Sequence, residues 1–180
     1  MVIFKIMIPV YNDWESLDKL LFKINENLKD FSNHSFECFI INDASSIKKP
    51  SIKNLPNFKA TKIINMKENR GHARCNAFGL RYISQNFDFD HIILMDGDGE
   101  DRPEELKLII KKALETPDIS VVAKRIKRSE GPIFQILYKA HKFITMIFTG
   151  KNVNFGNYSC LTKKDVIHIS SKSSLWSSFS

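Results

Sequence analysis

Apolar residues gather in runs of strand length at residues 2–10, 36–41, 61–66, 91–95 and 119–123, most of them rich in Ile and Val. Runs this short and continuous read as buried strands, because a strand covered on both faces has no polar face to alternate with. Between them the period changes to that of a helix. Leu17, Leu20, Leu21, Ile24 and Leu28 share one face, with Asn12 or Asp13 placed as the cap. A second helix is expected over about residues 71–84. A third starts at Pro103, a residue suited to a first helical position, with Glu104 and Glu105 in its first turn and Leu106, Ile109, Ile110 and Ala113 on one face. Strands alternating with helices predict an α/β domain with a Rossmann-like, mainly parallel sheet flanked by helices. Residues 44–60, with Pro50, Pro56 and scattered lysines, show no period and read as a long surface connection.

In parallel sheets ligands sit beyond the carboxyl ends of the strands, which directs attention to Tyr11-Asn12-Asp13, Asn42-Asp43, residues 67–74 and residues 96–101. The last of these carries the strongest signal. A buried strand ends abruptly in Asp96-Gly97-Asp98-Gly99-Glu100-Asp101. Asp96 and Asp98, two apart, point to one side in extended backbone, and the glycines let the chain approach a ligand closely. Such a pair suits a hard divalent cation, Mg²⁺ or Mn²⁺, that draws its other oxygens from substrate phosphate and water. The plain alternative is an acidic turn capping the next helix. A calcium EF-hand loop is excluded, because Asp101 stands where that loop needs glycine and Lys107 where it needs glutamate.

At 180 residues, 43% hydrophobic and 26% charged, the chain has the size and composition of one globular domain. A formal charge of +7 favours anionic partners without choosing among them. Cys38, Cys75 and Cys160 are odd in number and far apart, so a reducing cytoplasm is expected and a C-x-x-C zinc or redox site is not. The amino-terminal apolar run has no basic flank or cleavage site and reads as a first strand. Residues 134–148, the most apolar later stretch, are too short to span a bilayer and are interrupted by Lys139, His141 and Lys142; they suit a core helix or one lying at a membrane surface. The sequons at Asn33 and Asn157 carry little weight without a visible secretory route. No G-x-G-x-x-G follows the first strand, which argues against a dinucleotide dehydrogenase, and no nucleic-acid-binding motif appears.

Taken together, Met7-Ile8-Pro9-Val10-Tyr11-Asn12, Ile41-Asn42-Asp43-Ala44-Ser45-Ser46, Asn69-Arg70-Gly71-His72-Ala73-Arg74-Cys75-Asn76 and Met95-Asp96-Gly97-Asp98 resemble, in order and spacing, the family 2 glycosyltransferases of the GT-A fold. Residues 155–166 resemble the acceptor-side segment of the polyprenyl-phosphate branch, that of dolichol-phosphate mannose synthase and its bacterial glucosyl relatives. The resemblance covers nearly all of the chain. It implies a single catalytic domain over 1–180, although family members usually continue further. It also implies metal-dependent transfer of a hexose from a nucleotide-diphosphate sugar, with inversion, to an acceptor such as a polyprenyl phosphate at the cytoplasmic membrane face.

The same resemblance implies roles. Pro9, Tyr11 and Asn12 would line the nucleotide pocket and Asp43 would accept from the base, which leaves UDP and GDP both open, with UDP ahead. Asn69, Gly71 and Arg74 would wrap the ribose and diphosphate, Gly71 at a helix start that favours anions. Asp96 and Asp98 would hold the metal with Gly97 between them, and Glu100 or Asp101 would complete its shell or touch the sugar. Arg125 and Arg128 would assist the pyrophosphate. Asn157, Lys163 and Lys164 fall on the acceptor side, the lysines in place of an expected arginine, and lysine lacks the bidentate fork. His72 and His141 have no ligand partner at metal spacing and receive no catalytic role. Two other readings stay open: a catalytically idle nucleotide-binding relative, and a haloacid dehalogenase-type phosphatase, which also places D-x-D-G after a buried strand, usually the first.

Overall fold

Strand β1 (Ile3–Val10) is buried from Phe4 onward and lies between two parallel neighbours, β2 (Ser35–Asn42) and β4 (His91–Leu94). In this computed structural model the described residues are 1–51, 55–99, 101–124 and 155–176. Among them one six-stranded sheet runs in the order β3-β2-β1-β4-β6-β5, with β3 spanning Ala60–Asn65, β5 Val121–Lys124 and β6 Phe155–Thr162. The parallel core is as expected. What the periodicity does not show is β6, which enters antiparallel between β4 and β5.

The alternation along β1 divides the core. Phe4, Ile6, Ile8 and Val10 pack with Leu17, Leu21 and Ile24 of α1 (Trp14–Asn27) and Ile109 and Ile110 of α3 (Leu106–Glu115). Met7 turns the other way, towards Phe39, Ile41, and Leu80 and Ile83 of α2 (His72–Asn86), a cluster that also takes Val166 of α4 (Lys163–Ser170). Helix α2 comes close enough that a Cβ on Gly79 would lie 2.5 Å from Met7 Sδ. Lys5 interrupts the apolar run at 3% exposure and is matched by Glu37 Oε2 at 3.1 Å, over the Phe39 and Phe87 rings. Pairing is what makes a charge tolerable there.

Local chemistry sets the boundaries. Asp13, and not Asn12, caps α1, its Oδ1 accepting from Ser16 N at 3.2 Å. Pro103 opens a 3₁₀ turn, Pro103–Glu105, before α3 begins. The run expected at 119–123 starts two residues late, because Ile119 N donates to Thr116 O at 3.0 Å to close a turn. Residues 44–60 are more than a surface connection: Leu55 and Phe58 are buried, and Asn57 N and Nδ2 donate to Asn25 Oδ1 and O at 2.9 and 2.8 Å. Glu100, Arg125, Arg128 and residues 134–148 lie outside the described residues. No helix among the described residues is long and apolar enough to cross a membrane.

His91 opens β4 at 3% exposure, stacked on Phe4 with centroids 5.2 Å apart, and its Nδ1 finds no acceptor or donor among the described residues. Burial pushes its pKa below the ordinary value, against a smaller upward pull from Asp90. The folded state therefore holds His91 neutral. Its contribution to stability is complete above the unfolded pKa, about 6.5, and is lost as pH falls towards the lower folded value. Urea midpoints measured from pH 7.5 down to pH 5 should fall for the wild type, and His91→Phe, which keeps the stack, should remove part of that slope; an unchanged slope would place the loss elsewhere.

Candidate functional site

The parallel register delivers three chain ends to one edge of the sheet. Val10 pairs with Asn42, Asp43 N donates to Val10 O at 2.9 Å, and Met95 N donates to Met7 O at 3.1 Å. Tyr11, Asp43 and Asp96 therefore leave the sheet side by side, and the segment before α2 folds across them. Asp43 makes that fold possible. It is 3% exposed, and its two carboxylate oxygens accept from Arg70 N and Gly71 N, each at 2.8 Å. Gly71 N also reaches Asn69 Oδ1 at 3.1 Å. Gly71 has φ +82°, a conformation that costs a residue with a Cβ, and it precedes an α2 whose first turn has no side-chain cap.

These segments enclose a cavity of about 350 Å³. Five residues predicted for nucleotide binding line it, Pro9, Tyr11, Asp43, Asn69 and Gly71, together with Val10, His72 and Cys75. Tyr11 is half exposed, an aromatic face at the cavity mouth. Cys75 is an inert wall: burial and the Asp43 charge push its thiol up to about 12, and its Sγ donates to Ile41 O at 3.4 Å. Asn12 and Arg74 are not among the lining residues. Asn12, at φ +58°, instead binds the β1–α1 turn to the loop after β2: its N donates to Ser45 Oγ at 2.9 Å, its Nδ2 donates to Ser46 Oγ at 3.1 Å, and its Oδ1 accepts from Ile47 N at 3.0 Å.

The carboxylate turn adjoins this cavity. Asp96 is half-buried and Asp98 exposed. Asp101 is buried, and its Oδ2 accepts from Asp96 N at 2.8 Å, closing the turn on itself. Tyr158 of β6 backs the turn; burial, then Asp101, Glu105 and Glu104, push its phenol well above the ordinary value. Gly97 is held against the end of β1, where a Cβ would lie 2.8 Å from Pro9 O. His72, which sequence reasoning set aside, joins the two halves: its Nε2 stands 3.3 Å from Asp96 Oδ1 while its ring lines the cavity. The clue in the sequence was its place directly after Gly71, but nothing local pointed to Asp96, 24 residues on.

Asp96 and Asp98 offer hard oxygen donors, and among the described residues no group of three or more His, Cys, Asp or Glu side chains is arranged to hold a metal alone. That donor set fits Mg²⁺ or Mn²⁺ sharing its ligands with a phosphate and water. The acceptor-side residues separate. The β4–β6 ladder ends with Leu94 paired to Ser159, so Asp96 and Asn157 each lie two residues beyond the same end of that ladder. Lys163 and Lys164 sit at the other end of the sheet: Thr162 pairs with His91, Lys163 N donates to Asp90 O at 2.9 Å, and its Nζ meets Asp88 Oδ1 at 2.6 Å. The length of β4 lies between them and Asp96.

The family described as Glycosyl transferase family 2 matches residues 5–179, nearly the whole chain and every segment of this site. The chain belongs to that family. An undecaprenyl-phosphate 4-deoxy-4-formamido-L-arabinose transferase of Proteus mirabilis (strain HI4320) is 26% identical over 165 residues, 91% of this chain and 49% of that protein. The chain spans about half the length of the curated relatives it matches. Glucosyl-3-phosphoglycerate synthase from Mycobacterium tuberculosis, solved with Mn²⁺, UDP-glucose and phosphoglyceric acid, superposes at TM-score 0.60 and 10% identity over 91% of this chain and 57% of that one. The mannosyltransferase PcManGT from Pyrobaculum calidifontis, solved with GDP-Man and Mn²⁺, gives 0.55 and 15% over 92% and 45%. These likenesses show the GT-A-like fold.

In this family 2 chain, Gly97→Ala should cost about 1–3 kcal/mol by overpacking against Pro9 O and, if Asp96 and Asp98 take the cation that their donor set fits, weaken its binding, since they flank the displaced residue. Gly99→Ala, at φ +83° but with open space around its Cβ, should cost stability without that second effect. Guanidinium unfolding and Mn²⁺ titration of both variants check the contrast.

Proposed function

We propose that the chain binds a nucleotide-diphosphate sugar and transfers its hexose, with inversion, to a polyprenyl phosphate or a similar anionic acceptor. The observation that carries this reading is the adjacency of a 350 Å³ cavity, an uncapped helix start and the Asp96–Asp98 carboxylates. The nucleotide would occupy the cavity, its base stacked beside Tyr11 and its N–H groups directed at Asp43, whose carboxylate keeps lone pairs beyond the two already used. The diphosphate would lie over the start of α2, where a first turn with no side-chain cap and the helix dipole favour an anion. A bound Mg²⁺ or Mn²⁺ supplies neutralisation of the departing nucleotide diphosphate. Asp96 and Asp98 would hold it, and Asp101 would act by closing the turn that presents them.

Arg125 and Arg128 would complete the cationic surroundings of the diphosphate. Asn157 would stand on the acceptor side; the position of Lys163 and Lys164 gives them no support for that role. A lipid phosphate is already an anionic nucleophile, which removes the need for a general base. The names of the curated relatives, undecaprenyl-phosphate sugar transferases, support such an acceptor; a lipid acceptor would place the transfer at a membrane face, on our reading the cytoplasmic one. The donor complexes of PcManGT and of the Mycobacterium tuberculosis synthase support Mn²⁺, and between them keep GDP and UDP open.

Thermal unfolding with UDP and with GDP, each with and without Mn²⁺, tests the donor site. One nucleotide at a hundred times its Kd should add about 2.7 kcal/mol, several degrees in Tm, only with Mn²⁺ and not in Asp98→Ala. A shift without turnover over a panel of donors and polyprenyl phosphates would identify a nucleotide-binding relative that does not catalyse. No shift with either nucleotide, together with phosphomonoester hydrolysis lost in Asp96→Asn, would replace the reading with a phosphatase.

A further inference from the structure

Two residues that line the nucleotide cavity are each followed at once by a residue in the left-handed region: Tyr11 by Asn12 at φ +58°, and Asp43 by Ala44 at φ +57°. Asparagine tolerates that conformation, but alanine adopts it at a cost, so it persists where surrounding contacts over-determine the backbone. Many of those contacts come from Asn12. Its N donates to Ser45 Oγ at 2.9 Å, and its Oδ1 accepts from Ile47 N at 3.0 Å. A backbone N–H only donates, which orients the amide and turns Nδ2 to Ser46, whose Oγ accepts from it at 3.1 Å and lies 3.3 Å from Oδ1. From the other side Asn42 Oδ1 accepts from Ser45 N at 3.0 Å, and Asn42 Nδ2 donates to Asn65 Oδ1 at 2.9 Å at the end of β3. Trp14 Nε1 donates to Ile47 O at 3.1 Å. The ends of three strands are thereby tied through one short loop, residues 44–47.

We propose that Asn12 is a positioning residue for the nucleotide: it does not line the cavity, and by bridging the β1–α1 turn to the loop after β2 it fixes the spacing of Tyr11 and Asp43, the aromatic face and the carboxylate that the base would meet. The inference rests on the donor-site reading above and gives Asn12 a part in it other than direct contact. The sheet sets where the two lining residues depart, with Val10 paired to Asn42 and Asp43 N bound to Val10 O. The β1–β2 ladder ends there. Asp43 is held further by Arg70 N and Gly71 N, so the half-exposed Tyr11 is the wall that Asn12 secures against it. A cavity wall in place for roughly a tenth of the time binds its ligand about tenfold more weakly, because apparent affinity scales with the competent fraction.

The test uses the full chain, as wild type, Asn12→Gly, Ser46→Ala and the double variant, with Asn12→Asp as the conservative exchange. UDP and GDP affinities are read by calorimetry with Mn²⁺, and amide exchange over residues 43–51 by mass spectrometry. Asn12→Gly keeps the left-handed backbone without steric cost and removes the side-chain bridge. It should bind the nucleotide that the wild type binds about tenfold more weakly, the effect of a hydrogen bond or two. It should also exchange faster over 43–51 in the free chain, regain protection at saturating nucleotide, and keep a Tm close to wild type, as expected of a surface turn. Ser46→Ala should weaken binding less, and the double variant should bind no worse than Asn12→Gly, since both act through one bridge. Asn12→Asp, whose carboxylate still accepts from Ile47 N, should restore slow exchange, which a residue needed only for its backbone conformation would not do. Wild-type nucleotide affinity in Asn12→Gly overturns the inference, as do additive losses in the double variant or equal exchange in the Gly and Asp variants. If the wild type binds neither nucleotide, the donor reading fails and the inference with it; if it binds one and Asn12→Gly binds it equally, the inference alone fails.

Discussion

A one-residue slip of β1 against its neighbours would turn Phe4, Ile6 and Ile8 towards α2 and push Lys5 and Met7 into the packing of α1 and α3. Seven consecutive buried residues between two parallel partners leave no such freedom. That register is what puts Val10 beside Asn42 and Met7 beside Leu94, so three loops start within a strand spacing or two of one another. Gly97 then seats on Pro9 O and draws the carboxylate turn against the end of β1. The site is thus assembled by the sheet before any loop contributes a contact of its own.

The four aspartates at this edge divide into two pairs by burial. Asp43 and Asp101 are buried and accept from backbone N–H groups, which fixes the loop before α2 and the turn after β4. Asp96 and Asp98 stand further into solvent. Buried carboxylates survive only when fully hydrogen-bonded, and backbone donors do this without adding a mobile cation. The geometry of the more accessible pair is therefore inherited from the buried one.

Much of this was legible because the signals were local. The runs that became β1 to β4, the face of α1 and the order of the four loop motifs all depend on neighbours in sequence. What escaped depends on partners far along the chain. Residues 155–162 carry Gly156, Asn157, Ser159 and Thr162, too polar for a buried strand by composition; β6 forms because β4 and β5 flank it, which leaves Ser159 and Thr162 each at 5% exposure. The same antiparallel entry moves Lys163 and Lys164 to the end of the sheet opposite Asp96, which no motif spacing could reveal. His72 looked isolated because Asp96, 3.3 Å from its Nε2, lies in the turn after β4, 24 residues on.

The electrostatics of the edge bear on why donor and cation should bind together. Asp96 and Asp98 alone would repel a diphosphate, and a diphosphate alone at the start of α2 would face them across His72. A divalent cation between the two removes both penalties, and each then supplies ligands that the other needs. On the proposed reading neither half of the site is complete without substrate, in keeping with the absence, among the described residues, of a protein-only metal cluster. The chain's net charge of +7 favours the same anions at longer range, before the local carboxylates are felt.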